Sequence, residues 1–266
     1  MGGGPEHLLR NGLEDALAFE GRLIRVEVLE TESLFRTEIA TAFELFRLVS
    51  EQVRTAREKG AFPLVLSGNC NNTVGVVAGL AGRDEIGLVW FDGHADFNTP
   101  ETTTSGLLDG MGLSIAVGQC WGPMAHAIPD FRPMPAENVV LVGGRGADPM
   151  EKERLQQSGA TIVGEEAIRR VGKREDLAAA LDRLRERVRK VLVHLDLDVL
   201  DPEKVGAANG FVPEGGMDTE EVEGSIRAIR ERFEIVSATV ASYDPDHDRE
   251  GRVLRAALGL ARSLTI

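Results

Sequence analysis

The chain predicts an α/β fold, a three-layer αβα sandwich around a mostly parallel sheet of about seven or eight strands, on three observations. Short runs rich in Val, Ile and Leu alternate with longer amphipathic stretches, as strands do with the helices that carry the chain back across a sheet. Runs such as Ile86–Phe91 are almost wholly apolar, so both faces of the strand are to be covered. Finally, polar clusters follow directly on those runs, and ligands bind beyond the carboxyl ends of parallel strands.

The elements follow in order. Leu23–Val28 is the first predicted strand, with apolar residues at alternate positions, and 39–59 is an amphipathic helix. Strands follow at Pro63–Leu66 and Ile86–Phe91, the second ending in a charged segment, and again at Val139–Val142. A helix over Glu151–Ser158 leads to a strand at Thr161–Val163, and a longer helix over 174–189 leads to Val191–Leu197. Ile235–Ala241 is the seventh and last strand.

Bulk properties narrow the function. With 266 residues, 42% of them hydrophobic, the chain buries a sizeable core. A formal net charge of −13 argues against nucleic acid as a partner, because binding a phosphate backbone requires clustered Lys and Arg. The basic residues between 183 and 190 are interleaved with Glu at helical spacing and read as a solvated helix face. No window reaches the ~18 apolar residues of a membrane span, and the first residues lack the basic-then-apolar order of a secretion signal, so the expected location is the cytoplasm. The two cysteines, Cys70 and Cys120, read as separate thiols.

The chemistry lies in two segments. Asp92-Gly93-His94-Ala95-Asp96 follows the strand Ile86–Phe91, and Val191–Val193 runs into His194-Leu195-Asp196-Leu197-Asp198. A carboxylate buried at a strand end costs several kcal/mol unless it is paired or coordinated, and a divalent cation resolves that cost. In an extended segment Asp196 and Asp198 point to one side, and His194 shares it, placed to orient a ligand. A lone Asp-x-Asp is ordinarily a turn or a cap; both segments at consecutive strand ends point to metal. Four Asp and one His form an oxygen-rich donor set suited to Mn(II). A bridged pair of such ions lowers the pKa of water and supplies a nucleophile at neutral pH.

The first segment, with Asn98-Thr99-Pro100 and Thr102-Thr103-Thr104-Ser105-Gly106 after it, resembles the second signature of the arginase/agmatinase (ureohydrolase) family. His194 through Pro202 resembles the third. The likeness covers nearly the whole chain, read as one domain over 1–266. It implies two Mn(II) per chain, hydrolysis of a guanidino group with release of urea, a small-molecule substrate, and assembly into homotrimers or hexamers. It further implies that Asp92 and Asp196 bridge both metals, that Asp96 completes one, and that His94 and Asp198 bind the other.

Departures from the pattern shape the substrate. The first signature holds a histidine ligand where Ser67-Gly68-Asn69-Cys70-Asn71 has Cys70; a thiolate is a softer donor that suits Zn or Co better, so either the metal preference shifts or one site is weak. A similar exchange occurs in a branch of the family that acts on hydroxylated arginine. The resemblance assigns Asp148 to an α-amino group and Asn98 and Ser105 to an α-carboxylate. Where the family has a proton-shuttling histidine this chain has Asp109, leaving Asp198 or Asp109 to handle protons. Where the family's glutamate grips a guanidinium, Ser242 stands, which favours a less basic guanidino or amidino substrate, with Asp244, Asp246 or Glu214 as neighbouring compensators. His126 and His247 lie in loops that can reach the site, and His7 reads as a surface residue. The alternative from another class is a catalytically inactive family member that serves binding or assembly. A deacetylase-like metal site is disfavoured, since its tandem histidines are absent.

Overall fold

The computed structural model describes residues 1–32, 37–82, 85–166 and 175–266. Its elements in chain order are α1 (Gly4–Arg10), α2 (Leu13–Leu17), α3 (Glu38–Glu58), β1 (Leu64–Ser67), α4 (Thr73–Leu80), β2 (Ile86–Asp92), α5 (Gly112–Ala116), α6 (Gly122–Ala125), β3 (Val139–Gly143), α7 (Pro149–Ser158), β4 (Thr161–Val163), α8 (Glu175–Arg187), β5 (Lys190–Asp196), α9 (Thr219–Arg230), β6 (Glu234–Ala241) and α10 (Arg252–Thr265). The strands form one sheet in the order β1-β6-β5-β2-β3-β4, parallel at every pairing. Arg174, in the predicted helix over 174–189, lies outside the described residues.

Both faces of the sheet are covered, as the apolar runs require. Val89, Phe91, Val193 and Leu195 pack against Leu181 of α8, Ile226 of α9 and Leu260 of α10. Leu88, Trp90, Leu141 and Leu192, from the alternate positions, pack against Phe46 and Val49 of α3 and Val76 of α4. The long α3 starts at Thr37, whose hydroxyl accepts the Ala40 N–H at 3.2 Å. It approaches α4 so closely that a Cβ on Gly79 would stand 2.6 Å from the Ser50 carbonyl oxygen. No described helix is long and apolar enough to cross a membrane.

Two expectations are corrected. The described residues contain six strands, not seven or eight, because 23–28 pairs with no strand. Leu23 is 95% and Val28 74% exposed, while Ile24 is partly buried against the core. The segment is tied at one end by Arg22 to the Thr265 carbonyl and at the other by the Glu32 N–H to Glu44, which stretches it over helices rather than along a sheet edge. The strand containing Asp196 also stops there: Leu197–Val199 is a 3-10 turn. The Asp196 Oδ1 accepts the Asp198 N–H at 2.6 Å, and this side-chain capture of the backbone competes with continued strand.

Register then positions the site. Leu195 is opposite Phe91, Asp196 is opposite Ala241, Ser67 is also opposite Ala241, and Asp92 is opposite Gly143. The carboxyl ends of five strands therefore finish level.

Candidate metal centre

Cys70, Asp92, His94, Asp96, Asp196 and Asp198 converge beyond those strand ends. Asp92 closes β2 fully buried, its Oδ2 accepting the Trp90 indole N–H at 2.8 Å and its Oδ1 the His94 backbone N–H at 2.6 Å. Asp198 reaches across from the turn after β5: its Oδ1 accepts the Gly93 N–H at 2.8 Å and its Oδ2 lies 2.9 Å from His94 Nδ1. Gly93 leaves no alternative residue, because a Cβ would stand 2.7 Å from the Asp198 carbonyl oxygen and 2.9 Å from its Oδ1. Asp96 adopts a left-handed backbone (φ 51°) and turns its side chain inward, where Oδ2 is buried without a hydrogen bond.

The thiol is part of the cluster. Cys70 begins a 3-10 turn after β1, and its Sγ donates to Asp196 Oδ2 at 2.7 Å and lies 3.2 Å from the Ser242 hydroxyl. Ser242 holds a left-handed conformation (φ 65°) just past β6, a costly one for a non-glycine residue. Asp109 is gathered in as well, with one oxygen accepting the Asn71 N–H at 3.3 Å. Donor atoms of Cys70, Asp96 and Asp109 lie within 4.8 Å of one another, and so do those of Asp92, His94 and Asp198, and those of Cys70, Asp92 and His194.

Electrostatics shows what this concentration of acids costs. Burial, then the charge of Asp198, pushes Asp92 up to about 8. Burial and neighbouring aspartates hold Asp96 and Asp196 well above the ordinary carboxylate range, and the Cys70 thiol is raised by burial and then by Asp196. Burial alone would lower the His94 imidazole, but its hydrogen bond to Asp198 and the nearby charges carry it to about 9. Burial works to raise Asp198, and its bond to His94 more than reverses this, leaving it below its ordinary value. Asp109 is raised by burial to about 6. Protons and hydrogen bonds here compensate charges that a cation would neutralise, and the orphaned Asp96 oxygen fits a cation better than an enclosed proton.

The other predicted residues fall into two groups. Asn98 and Asp148 are neighbours, with Asn98 Nδ2 3.4 Å from Asp148 Oδ2, which also accepts the Thr104 hydroxyl at 3.0 Å. Asp148 doubles as the N-cap of α7, its N–H bonded to Glu151. Ser105 sits on the exposed part of this loop and accepts the Leu107 N–H at 3.2 Å. Of the histidines, His126 lies against the Gly122 carbonyl of α6 and His247 against Asp244. His7 is half-buried, its ring edge-on to Tyr243.

Sequence reading passed over the supports. Trp90 lies two residues before Asp92 and so on the same face of β2, a spacing that was legible. Arg145 was not legible as a clamp: it donates to the carbonyls of Asp198, Val199, Pro213 and Glu214 and pairs with Glu165. Glu151 holds the Phe97 N–H at 2.7 Å, anchoring the chain just after Asp96.

The chain as a whole has relatives among known proteins. The Arginase family model matches residues 4–266. The chain belongs to the arginase family. The arginase of Bacillus caldovelox is 33% identical over 210 residues, covering 78% of this chain and 69% of that protein. The arginase of Bacillus subtilis (strain 168) is 30% identical over 220 residues, 81% and 73% of the two chains. The crystal structure of arginase from Bacillus cereus superposes with a TM-score of 0.89 at 26% identity, over 99% of this chain and 91% of that one. The family's fold extends to the formimidoylglutamase of Bacillus subtilis subsp. subtilis str. 168, at a TM-score of 0.75 and 17% identity over 99% and 81%.

Proposed function

We propose that this arginase-family chain is a divalent-metal-dependent hydrolase that cleaves a C–N bond of a guanidino or amidino group on an amino-acid-like substrate, releasing urea or a urea derivative. One observation carries the reading: Asp92, His94, Asp96, Asp196, Asp198 and Cys70 meet at the level carboxyl ends of the sheet, with buried carboxylates raised by their crowding. These six would hold two Mn(II), and the thiol of Cys70 widens the choice toward Zn(II) or Co(II). When bound, such a pair supplies a nucleophile at neutral pH and polarises the group under attack.

The rest of the work falls to the chain's own residues. His94 Nδ1 faces Asp198 Oδ2 at 2.9 Å and Asp92 Oδ1 at 3.8 Å, so the three would present their donor atoms to one cation. Asp109, at about 6, takes up or releases a proton near neutrality at its carboxyl. Asp148 and Asn98 offer a carboxylate and an amide on one wall, complementary to an α-amino and an α-carboxylate group, with Ser105 on the same loop. Ser242 places a neutral hydroxyl beside Cys70. A fully cationic guanidinium finds no countercharge in that hydroxyl, so a less basic group, such as an N-hydroxylated guanidine, is the preferred substrate.

The test is to load the protein with Mn(II), Zn(II) or Co(II), count metal per chain, and assay urea or hydroxyurea release from guanidino and N-hydroxyguanidino amino acids. Asp196→Asn is expected to lower turnover at least ~1000-fold, about 4 kcal/mol of barrier. Full hydrolysis by that variant refutes the mechanism. Failure of the wild type to hold any of the three metals replaces it with a binding or assembly role.

A further inference from the structure

His194 is buried in the sheet two residues before Asp196, on the same face. Its ring lies against Trp90, centroids 3.8 Å apart. On one side Nδ1 is 2.8 Å from the Thr73 hydroxyl and 2.5 Å from that of Thr239. On the other side Nε2 is completely enclosed and has no hydrogen-bond partner. A buried imidazole nitrogen left bare inside a protein otherwise well supplied with donors calls for an explanation.

The surroundings supply one. Donor atoms of His194, Cys70 and Asp92 lie within 4.8 Å of one another, so that small side-chain shifts bring them round one cation, whose two opposed ligand bonds of roughly 2.3 Å span about 4.6 Å. A metal-bound histidine ordinarily donates its other N–H to a nearby oxygen, which fixes tautomer and ring orientation, and the hydroxyls of Thr73 and Thr239 stand at Nδ1. We infer that His194 is itself a metal ligand through Nε2, joining Cys70 and Asp92 at the deep side of the centre and restoring the second imidazole that Cys70 removes from the family's donor set. The inference rests on the metal-centre reading above. Two neutral imidazoles and four carboxylates then face the two divalent ions, and the shorter Cys70 side chain leaves room for a ring that arrives from β5 instead of from the turn after β1.

The experiment reads the nitrogens directly. His7, His126 and His247 are replaced by Gln, leaving His94 and His194, and the protein is made with 15N-labelled histidine and loaded with diamagnetic Zn(II). Two-dimensional long-range 1H–15N correlation spectra are compared before and after loading, alongside metal analysis. The expected result is that both imidazoles acquire one metal-bound nitrogen, His194 with its proton on Nδ1. Metal bound while only His94 responds, or a proton found on His194 Nε2, overturns the inference and leaves the metal centre standing. No bound metal overturns both. As a second reading, His194→Gln should weaken the tighter or the weaker of the two Zn(II) sites at least ~10-fold in a competitive chelator titration, and unchanged affinity at both sites counts against ligation.

Discussion

Stripping the metal should reverse the ordinary dependence of stability on pH. In the metal-free protein Asp92 is carried from 3.8 to about 8 by burial and Asp198, and His94 from 6.5 to about 9 chiefly by Asp198 acting against burial. Both folded-state values are raised, so their stabilising contribution is fully present below the unfolded values and is lost as pH climbs through the folded ones. The window runs from about 4 to about 8 for Asp92 and from about 6.5 to about 9 for His94. Asp96, Asp196 and Cys70 are raised as well and act in the same direction. Asp198 is lowered, and its opposite contribution is confined to acid below its ordinary 3.8. His194, lowered by burial to about 3, removes stability only as pH falls below 6.5. At ~1.4 kcal/mol per pH unit of displacement, Asp92 alone sets a ceiling of ~6 kcal/mol, and a net loss of several kcal/mol between pH 6 and pH 9 is expected. Denaturant melts of chelator-treated protein at unit pH intervals measure it. Asp92→Asn should flatten the slope, and Mn(II)-loaded protein should gain stability over the same range because its ligands shed protons to bind metal. A metal-free stability that is flat or rises from pH 6 to pH 9 refutes the account of how these charges are held.

Three further outcomes are expected. Cys70→Ser should lower affinity for Zn(II) and Co(II) more than for Mn(II), because the soft donor is lost and a hard one replaces it; calorimetric titration with equal losses for all three would remove Cys70 from the ligand set. Arg145→Ala removes five hydrogen bonds, four to the carbonyls of Asp198, Val199, Pro213 and Glu214 and one to the Glu165 carboxylate. A loss of ~2–4 kcal/mol in chemical denaturation is expected, with metal affinity reduced through the misplaced Asp198. Gly93→Ala places a methyl against the Asp198 carbonyl and carboxylate; the overpacking should cost ~1–3 kcal/mol and abolish stable metal loading, which metal analysis after gel filtration reads directly.

The sheet was legible because a parallel strand covered on both faces must be apolar at nearly every position, and Ile86–Phe91 and Val139–Val142 are. Leu23–Val28 carried a different strand signal, apolar residues at alternate positions, and misled, since strand pairing is decided by a partner edge and not by the segment. The acid cluster was legible for a different reason: carboxylates placed directly after buried runs are too costly to leave unexplained, and Asp92, Asp96, Asp196 and Asp198 all proved to be buried together. Residue spacing could also place His194 on the side of Asp196. Only the assembled sheet decided that the His194 ring stands near Cys70 and Asp92 with its Nε2 left bare, that Asp198 bends round in a turn to hold His94, and that Arg145 locks that turn from another loop. Sequence determines which groups are buried through local pattern, a one-dimensional property. Which of them touch is set by register and by loops meeting across 50 to 170 positions, and those distances close only when the strands lie side by side.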